Sequence, residues 1–190
     1  MRIGHINKTF YISDHHWFHY NIINYCERPF DNLDDMNAFM LDKWNDVVTS
    51  DDTVIYGGDL VLNSSRDYRT KVSFVLTYLN GKKILVRGNH DRSHSTMCQL
   101  GFESSNLYYF KDNILVVHDL MRRWHIKEIA DLIEKADYVL YGHVHNQLLD
   151  DPRVKDNPKF INICVEHLDY IPRTLEELKE IRNIQLQRGI

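Results

Sequence analysis

Five short apolar runs, rich in β-branched and aromatic residues, each stop at a polar cluster, and this repeated pattern constrains the chain more than any other feature. Thr9–Ile12 runs into Ser13-Asp14-His15-His16, and Thr53–Tyr56 into Gly57-Gly58-Asp59. Ile84–Val86 leads through Arg87 to Gly88-Asn89-His90-Asp91, Ile114–Val117 ends at His118, and Tyr138–Tyr141 ends at Gly142-His143-Val144-His145. In an α/β sheet, ligands bind in the crevice beyond the carboxyl ends of the strands, where loops gather sequence-distant side chains on a rigid base. Five strand ends bearing Asp, Asn and His therefore predict one shared site. Gly88 is expected to let the backbone turn so that its neighbours can face different ways.

Helical spacing separates the runs. Met36, Phe39, Met40, Trp44, Val47 and Val48 predict a helix over 34–48, with Asp34 and Asp35 in its first turn. Val72, Val75, Leu76 and Leu79 predict another, stopped by Asn80-Gly81, and Ile129, Leu132 and Ile133 a third over 126–135. Leu107–Phe110 and Ile114–Val117 flank Lys111-Asp112-Asn113 as a hairpin. Residues 17–30 read as irregular or partly helical, and 146–158 as a loop. Phe160–Ile163 reads as a strand, and Thr174 with Glu177 as the capping box of a last helix. Alternating strands and helices indicate an α/β fold with some antiparallel character. Without an internal repeat or linker, residues 1–190 read as one domain.

The net charge of -4 and the absence of a long basic run argue against an extended nucleic-acid surface or an anionic membrane as partner. No apolar stretch reaches about 18 residues and the N-terminus has no leader pattern, so the expected location is the cytosol. Cys26, Cys98 and Cys164 are widely spaced and odd in number, which fits reduced thiols better than a disulfide frame. Histidine is the unusual component, with eleven residues, several beside Asp or Asn.

Asp14-x-His16 and His143-x-His145 have the spacing at which two side chains of an extended backbone point the same way. A donor set of carboxylate, imidazole and amide without thiolate suits manganese, iron, zinc or nickel better than a structural zinc site. The donors outnumber the needs of one tetrahedral ion. A carboxylate can bridge two ions about 3.5–4 Å apart, an arrangement that clamps a phosphoryl group and acidifies water.

Taken in order, Asp14-x-His16, Gly58-Asp59, Gly88-Asn89-His90-Asp91, His118 and Gly142-His143-x-His145 resemble the calcineurin-like metallophosphoesterase family. The length and the Asn21-Ile22-Ile23 and Arg28-Pro29-Phe30 segments are similar to its small phage and bacterial branch. The resemblance implies an αββα sandwich of two mixed sheets flanked by helices. It implies two divalent ions, manganese foremost. Asp14, His16 and His145 would hold the first ion, Asn89, His118 and His143 the second, and Asp59 would bridge them. His90 would stabilise the phosphoryl group and protonate the leaving oxygen, with Asp91 orienting it. The implied reaction is attack of metal-bound hydroxide on a phosphomonoester or phosphodiester. Three positions depart from the pattern: His15 inside the first motif, Asp119 after His118, and Phe18-His19. Asp119 could tune His118 or cap the next segment.

Each residue also has a plainer role open to it. Asp59 or Asp91 alone could serve as a helix N-cap, and His5, His125 and His167 have no motif around them. His19 and Arg28, just after the first metal loop, are the best candidates for substrate contact, ahead of Arg92, His94, Arg122, Arg123 and Trp124. The expected activity is hydrolysis of a small phosphorylated molecule, plausibly a nucleotide or cyclic nucleotide. The alternatives are a nuclease acting on short single strands and a non-catalytic metal-binding module.

Overall fold

The computed structural model describes residues 7–62 and 64–189, so His5 lies outside the described residues. Strands β1 (Thr9–Ile12), β2 (Thr53–Tyr56), β3 (Lys82–Val86) and β4 (Ser104–Asn106) form one sheet in that order. Helices α1 (Asn21–Tyr25) and α2 (Leu33–Val47) follow β1, α3 (Tyr68–Tyr78) follows β2, and α4 (His94–Leu100) follows β3. Every strand pair here is parallel, as crossover connections through helices require. The second sheet has the order β5 (Tyr108–Lys111), β6 (Ile114–Val117), β7 (Tyr138–Tyr141), β8 (Phe160–Asn162). Between β6 and β7 lie α5 (Leu120–Arg123) and α6 (Lys127–Lys135), and α7 (Leu175–Arg188) comes last.

The mixed character implied for both sheets belongs to the second alone. Among the described residues only β5 and β6 pair as antiparallel strands, joined by Asp112 and Asn113 at positive φ, as a two-residue hairpin turn demands. In the first sheet, antiparallel pairing among the described residues is confined to the Tyr11–Arg173 bridge. The pattern gave no sign of β4 or α4. Ser104–Asn106 is polar and buries only Ser105 among its three residues, and α4 buries only Met97.

Alternation along β6 divides the core. Ile114 and Val116 join Leu140 and Ile161 against the first sheet, whereas Leu115 and Val117 face Ile129 and Ile133 of α6. Both faces of this strand are covered, so it reads as an unbroken apolar run. On the other side of the first sheet, α2 buries Met36, Met40 and Trp44 four residues apart, after Asn32 caps its start by accepting from the Asp35 N–H at 2.9 Å. Removing each of these Met side chains from water contributes about 1.5–3 kcal/mol. The expected capping box of α7 forms, with the Thr174 N–H donating to Glu177 Oε2 at 2.8 Å. Buried Arg182 on α7 donates to the carbonyls of Val154 and Lys155, which ties down the 146–158 loop.

The two sheets are laced together just beyond β1. The Ser13 N–H donates to the Ile163 carbonyl at 2.9 Å, and the Val165 N–H returns to Ser13 at 3.2 Å. This seam brings the carboxyl ends of both sheets to one place.

Candidate metal centre

All seven expected donors emerge from that shared end. Asp14 and His16 follow β1, Asp59 follows β2, and Asn89 follows β3, while His118 follows β6 and His143 and His145 follow β7. The backbone there is not extended, contrary to the argument from alternate residues. Asp14, His16, Asp59, His143 and His145 all have positive φ, at 62°, 51°, 59°, 75° and 52°. The left-handed conformation costs a non-glycine residue about 1–2 kcal/mol, and Asp and His are among those that tolerate it. Ladder-like bonds between neighbouring loops hold it: Asp14 N–H to Gly58 O at 2.9 Å, His16 N–H to Asp59 O at 3.2 Å, and Gly142 N–H to His118 O at 2.9 Å.

The donors fall into two groups, Asp14 with His16 and His145, and Asp59 with His118 and His143, each with its donor atoms within 4.8 Å of one another. Asp59 stands between them. Its Oδ2 lies 3.4 Å from His118 Nε2 and 3.7 Å from His16 Nε2. Asn89 Oδ1 is 3.1 Å from His118 Nε2. Asp14 Oδ1 and both ring nitrogens of His16 are buried without a hydrogen-bond partner. Such atoms cost about 1–3 kcal/mol each when left unsatisfied. A cation among these oxygen and nitrogen donors would satisfy them, so the residues fit a divalent metal ion.

The field inside the centre is strong. Burial lowers the pKa of His16 to about 3, outweighing Asp59, so its ring is neutral and ready to donate a lone pair. Burial also opposes charge on His118, but Asp14 and Asp59 overcome it and raise that pKa to about 9. For Asp59, burial would raise the pKa, and the bond to His118 with the nearby His16 pushes it below the usual carboxylate range instead. The acidic field that holds a proton on His118 would equally draw a divalent cation, for which the proton would leave.

A surrounding layer orients these donors. His118 Nδ1 bonds to the Gly57 carbonyl at 2.9 Å, which turns Nε2 toward Asp59. His145 Nδ1 meets Glu166 Oε1 at 3.0 Å, leaving Nε2 for a metal. Glu166 lies in a 3₁₀ turn, Val165–His167, that carries no motif, so no signal in the sequence singled it out. Arg28 donates to the same Glu166 oxygen at 2.7 and 3.0 Å, and to the carbonyls of Asp14 and His15 at 2.8 and 2.7 Å. It is therefore a buried brace under the Asp14 loop, not the substrate contact expected of it.

Asp91 also departs from its expected role. Its Oδ2 accepts from the N–H groups of Asp59 and Gly88 at 2.9 and 2.8 Å, and Oδ1 from Leu60 at 3.4 Å. It clamps the Asp59 loop to the Gly88 loop instead of orienting the His90 ring. Burial, then the Asp59 charge, raises its pKa to about 6. Gly88 has no positive φ to accommodate. A Cβ there would overlap the Asp59 carboxylate, as one at Gly142 would overlap that of Asp14. These glycines are required by close approach.

His15 stacks on Trp17 with ring centroids 5.4 Å apart and bonds Tyr56 Oη at 3.0 Å. Asp119 caps α5 through the Arg122 N–H at 3.0 Å and approaches His143 at 3.6 Å rather than His118. His19 lines a cleft of about 500 Å³ with His16, Tyr25, His90, His143 and His145. His90 bridges site and cleft: its N–H donates to Asp59 Oδ1 at 2.9 Å, Nε2 lies 4.0 Å from Asp59 Oδ2, and its side chain is 31% exposed. Arg92 covers the Tyr68 ring, His94 bonds the Ser105 carbonyl and Trp124 stacks on Phe160, so these three have packing roles.

This convergence of Asp, Asn and His at the carboxyl ends of two facing sheets coincides with a family match. Residues 8–163 match the calcineurin-like phosphoesterase superfamily domain, and the chain belongs to that superfamily. It is 32% identical over 172 residues to the uncharacterized protein MJ1445 of Methanocaldococcus jannaschii, spanning 90% of this chain and 89% of that one. The crystal structure of a protein of unknown function, AQ665 from Aquifex aeolicus, superposes with a TM-score of 0.69 at 25% identity. That match covers 93% of this chain and all of the other. No helix among the described residues is long and apolar enough to cross a membrane.

Proposed function

We propose that this protein is a dinuclear, manganese-dependent phosphoesterase that hydrolyses a small phosphorylated substrate, a nucleotide or cyclic nucleotide among the candidates. The observation that carries the proposal is the placement of Asp59 between two histidine–carboxylate groups with His90 on the rim of the adjoining cleft. Asp14, His16 and His145 would hold one ion, Asn89, His118 and His143 the other, and Asp59 both. Ions held there would supply Lewis acidity toward the phosphoryl oxygens and acidify water. The protein's own part is to position and to move protons. The Asp59 Oδ1 bond to the His90 backbone fixes the base of that side chain, and its Nε2 lies 4.0 Å from Asp59 Oδ2. His90 then donates to the departing oxygen as general acid. His19 lines the same cleft and would contact the leaving portion. Three free cysteines, Cys26, Cys98 and Cys164, fit a role in the reducing cytosol.

The test is turnover of p-nitrophenyl phosphate and its bis-ester with manganese added. Metal-dependent release of nitrophenol is expected, and none from folded, manganese-loaded protein would sink the proposal. Hydrolysis of the bis-ester well above the monoester would assign a diesterase.

A further inference from the structure

A second cleft of about 380 Å³ adjoins the candidate metal centre, lined by Asn89, His118, Asp119, Arg122, Arg123 and Ile126. Asn89 also lines the cleft that holds His90, so the two meet at the metal donors. The chain places the arginines there directly: β6 ends, His118 turns into the centre, Asp119 caps α5, and Arg122 and Arg123 complete that helix. Arg87 directly follows β3. Burial and then the charges of Arg122 and Arg87 lower the pKa of Arg123, with Asp119 opposing them. Arg87 Nε is buried without a hydrogen-bond partner. Asp119, the carboxylate in the cleft lining, is turned to the Arg122 backbone N–H at 3.0 Å and to His143 at 3.6 Å. Two guanidinium groups thus line the cleft with Asp119 as the one carboxylate among the lining residues, and the charge of Arg87 adds to theirs. Such a cluster is unfavourable by itself and suited to a phosphate, which accepts paired bonds from each planar fork.

We propose that Arg122 and Arg123, backed by Arg87, form a subsite for a second phosphoryl group of the substrate, one that is not cleaved. The substrate class is then a small phosphoester with two phosphates, such as a nucleoside carrying phosphates on two hydroxyls. This assignment rests on the phosphoesterase function proposed above.

The experiment compares thymidine 5′-(p-nitrophenyl phosphate) with and without a 3′-phosphate, using manganese-loaded protein. One charged pairing of this kind is worth about tenfold, so kcat/KM is expected to favour the 3′-phosphorylated compound by at least about that factor. The preference should shrink as salt is added. Replacing both arginines, Arg122→Gln with Arg123→Gln, should lower kcat/KM for the phosphorylated compound about tenfold more than for its partner, and the Lys pair should keep part of the preference. Equal use of both compounds by the parent protein, or a preference unchanged in the Gln pair, overturns the subsite. If the double variant fails to fold, Arg122→Gln alone carries the test, because Arg122 is exposed.

Calorimetric binding of adenosine 3′,5′-bisphosphate and adenosine 5′-monophosphate needs no turnover and separates the two proposals. Tighter bisphosphate binding without catalysis keeps the subsite and removes the esterase. Catalysis with equal affinities does the reverse. Adenosine diphosphate in the same titration shows whether the second phosphate is linked through the sugar or through an anhydride. A short single-stranded oligonucleotide that outcompetes the bisphosphate would overturn the small-molecule class.

Discussion

The two donor groups of the candidate centre are built differently. Asp14, with His16 and His145, sits in a braced pocket. Asp14 Oδ2 accepts from the His143 N–H at 3.0 Å and from Cys164 Sγ at 3.3 Å. Arg28 and Glu166 pin the Asp14 loop and the His145 ring together. Asp59 and His118 are equally buried, but His143 is 40% exposed and has Asp119 at 3.6 Å as its carboxylate neighbour. One group is tied by hydrogen bonds to buried partners, and the other keeps a solvent-facing member. The first should therefore bind manganese tightly, and the second should exchange it more readily.

Removing the residue that stands between the two groups should have the largest effect. Asp59→Asn is expected to abolish turnover and to reduce manganese content at both positions, read by elemental analysis. Retention of full metal content would remove Asp59 from its bridging place. His90→Ala comes next, with a loss of about 10²–10⁴ in kcat. Both ions should stay, because His90 serves neither group, and the loss should be greatest for substrates with poor leaving groups. Unchanged turnover of an alkyl ester would end its assignment as the acid.

The comparison itself is sharpened by the outer carboxylates. Glu166→Gln should weaken manganese binding to the braced group by about 10–100-fold in a fluorescence or calorimetric titration. Asp119→Asn should act on the exposed group and by less, since its contact with His143 is longer and partly solvated. A larger effect from Asp119 would invert the proposed order of the two sites. The smallest kinetic effect is expected of Arg28→Lys, which loses the forked bonds to Glu166 and to two carbonyls. It should cost about 1–3 kcal/mol of stability by thermal unfolding and leave KM near the parent value. A raised KM would restore Arg28 to the substrate.

Much of this centre is legible along the chain because strand ends announce it. β-Branched runs are local, and the polar clusters lie within a few residues of them, so Asp14, Asp59, Asn89, His118, His143 and His145 all stand out before any folding. Glu166 does not, because its partners are 21 and 138 residues away and its own surroundings form a short 3₁₀ turn. Arg28 and Asp91 were visible as polar residues near motifs, but nearness in sequence gave them the wrong neighbours. Arg28 points under the loop it follows in sequence, and Asp91 reaches back to backbone amides near β2. The alternation argument for Asp14-x-His16 assumes an extended backbone that the loop does not have, since positive φ values depend on loops hydrogen-bonding across the sheet.

The sequence by itself determined the strand–helix alternation, the donor chemistry and the family, because these depend on local propensity and on which side chains are present. Tertiary structure alone decided the left-handed backbone that presents those donors, and which charged residues brace the site instead of facing the cleft. Those outcomes depend on distances between segments far apart in the chain, set when the two sheets are laced together at Ser13 and Ile163.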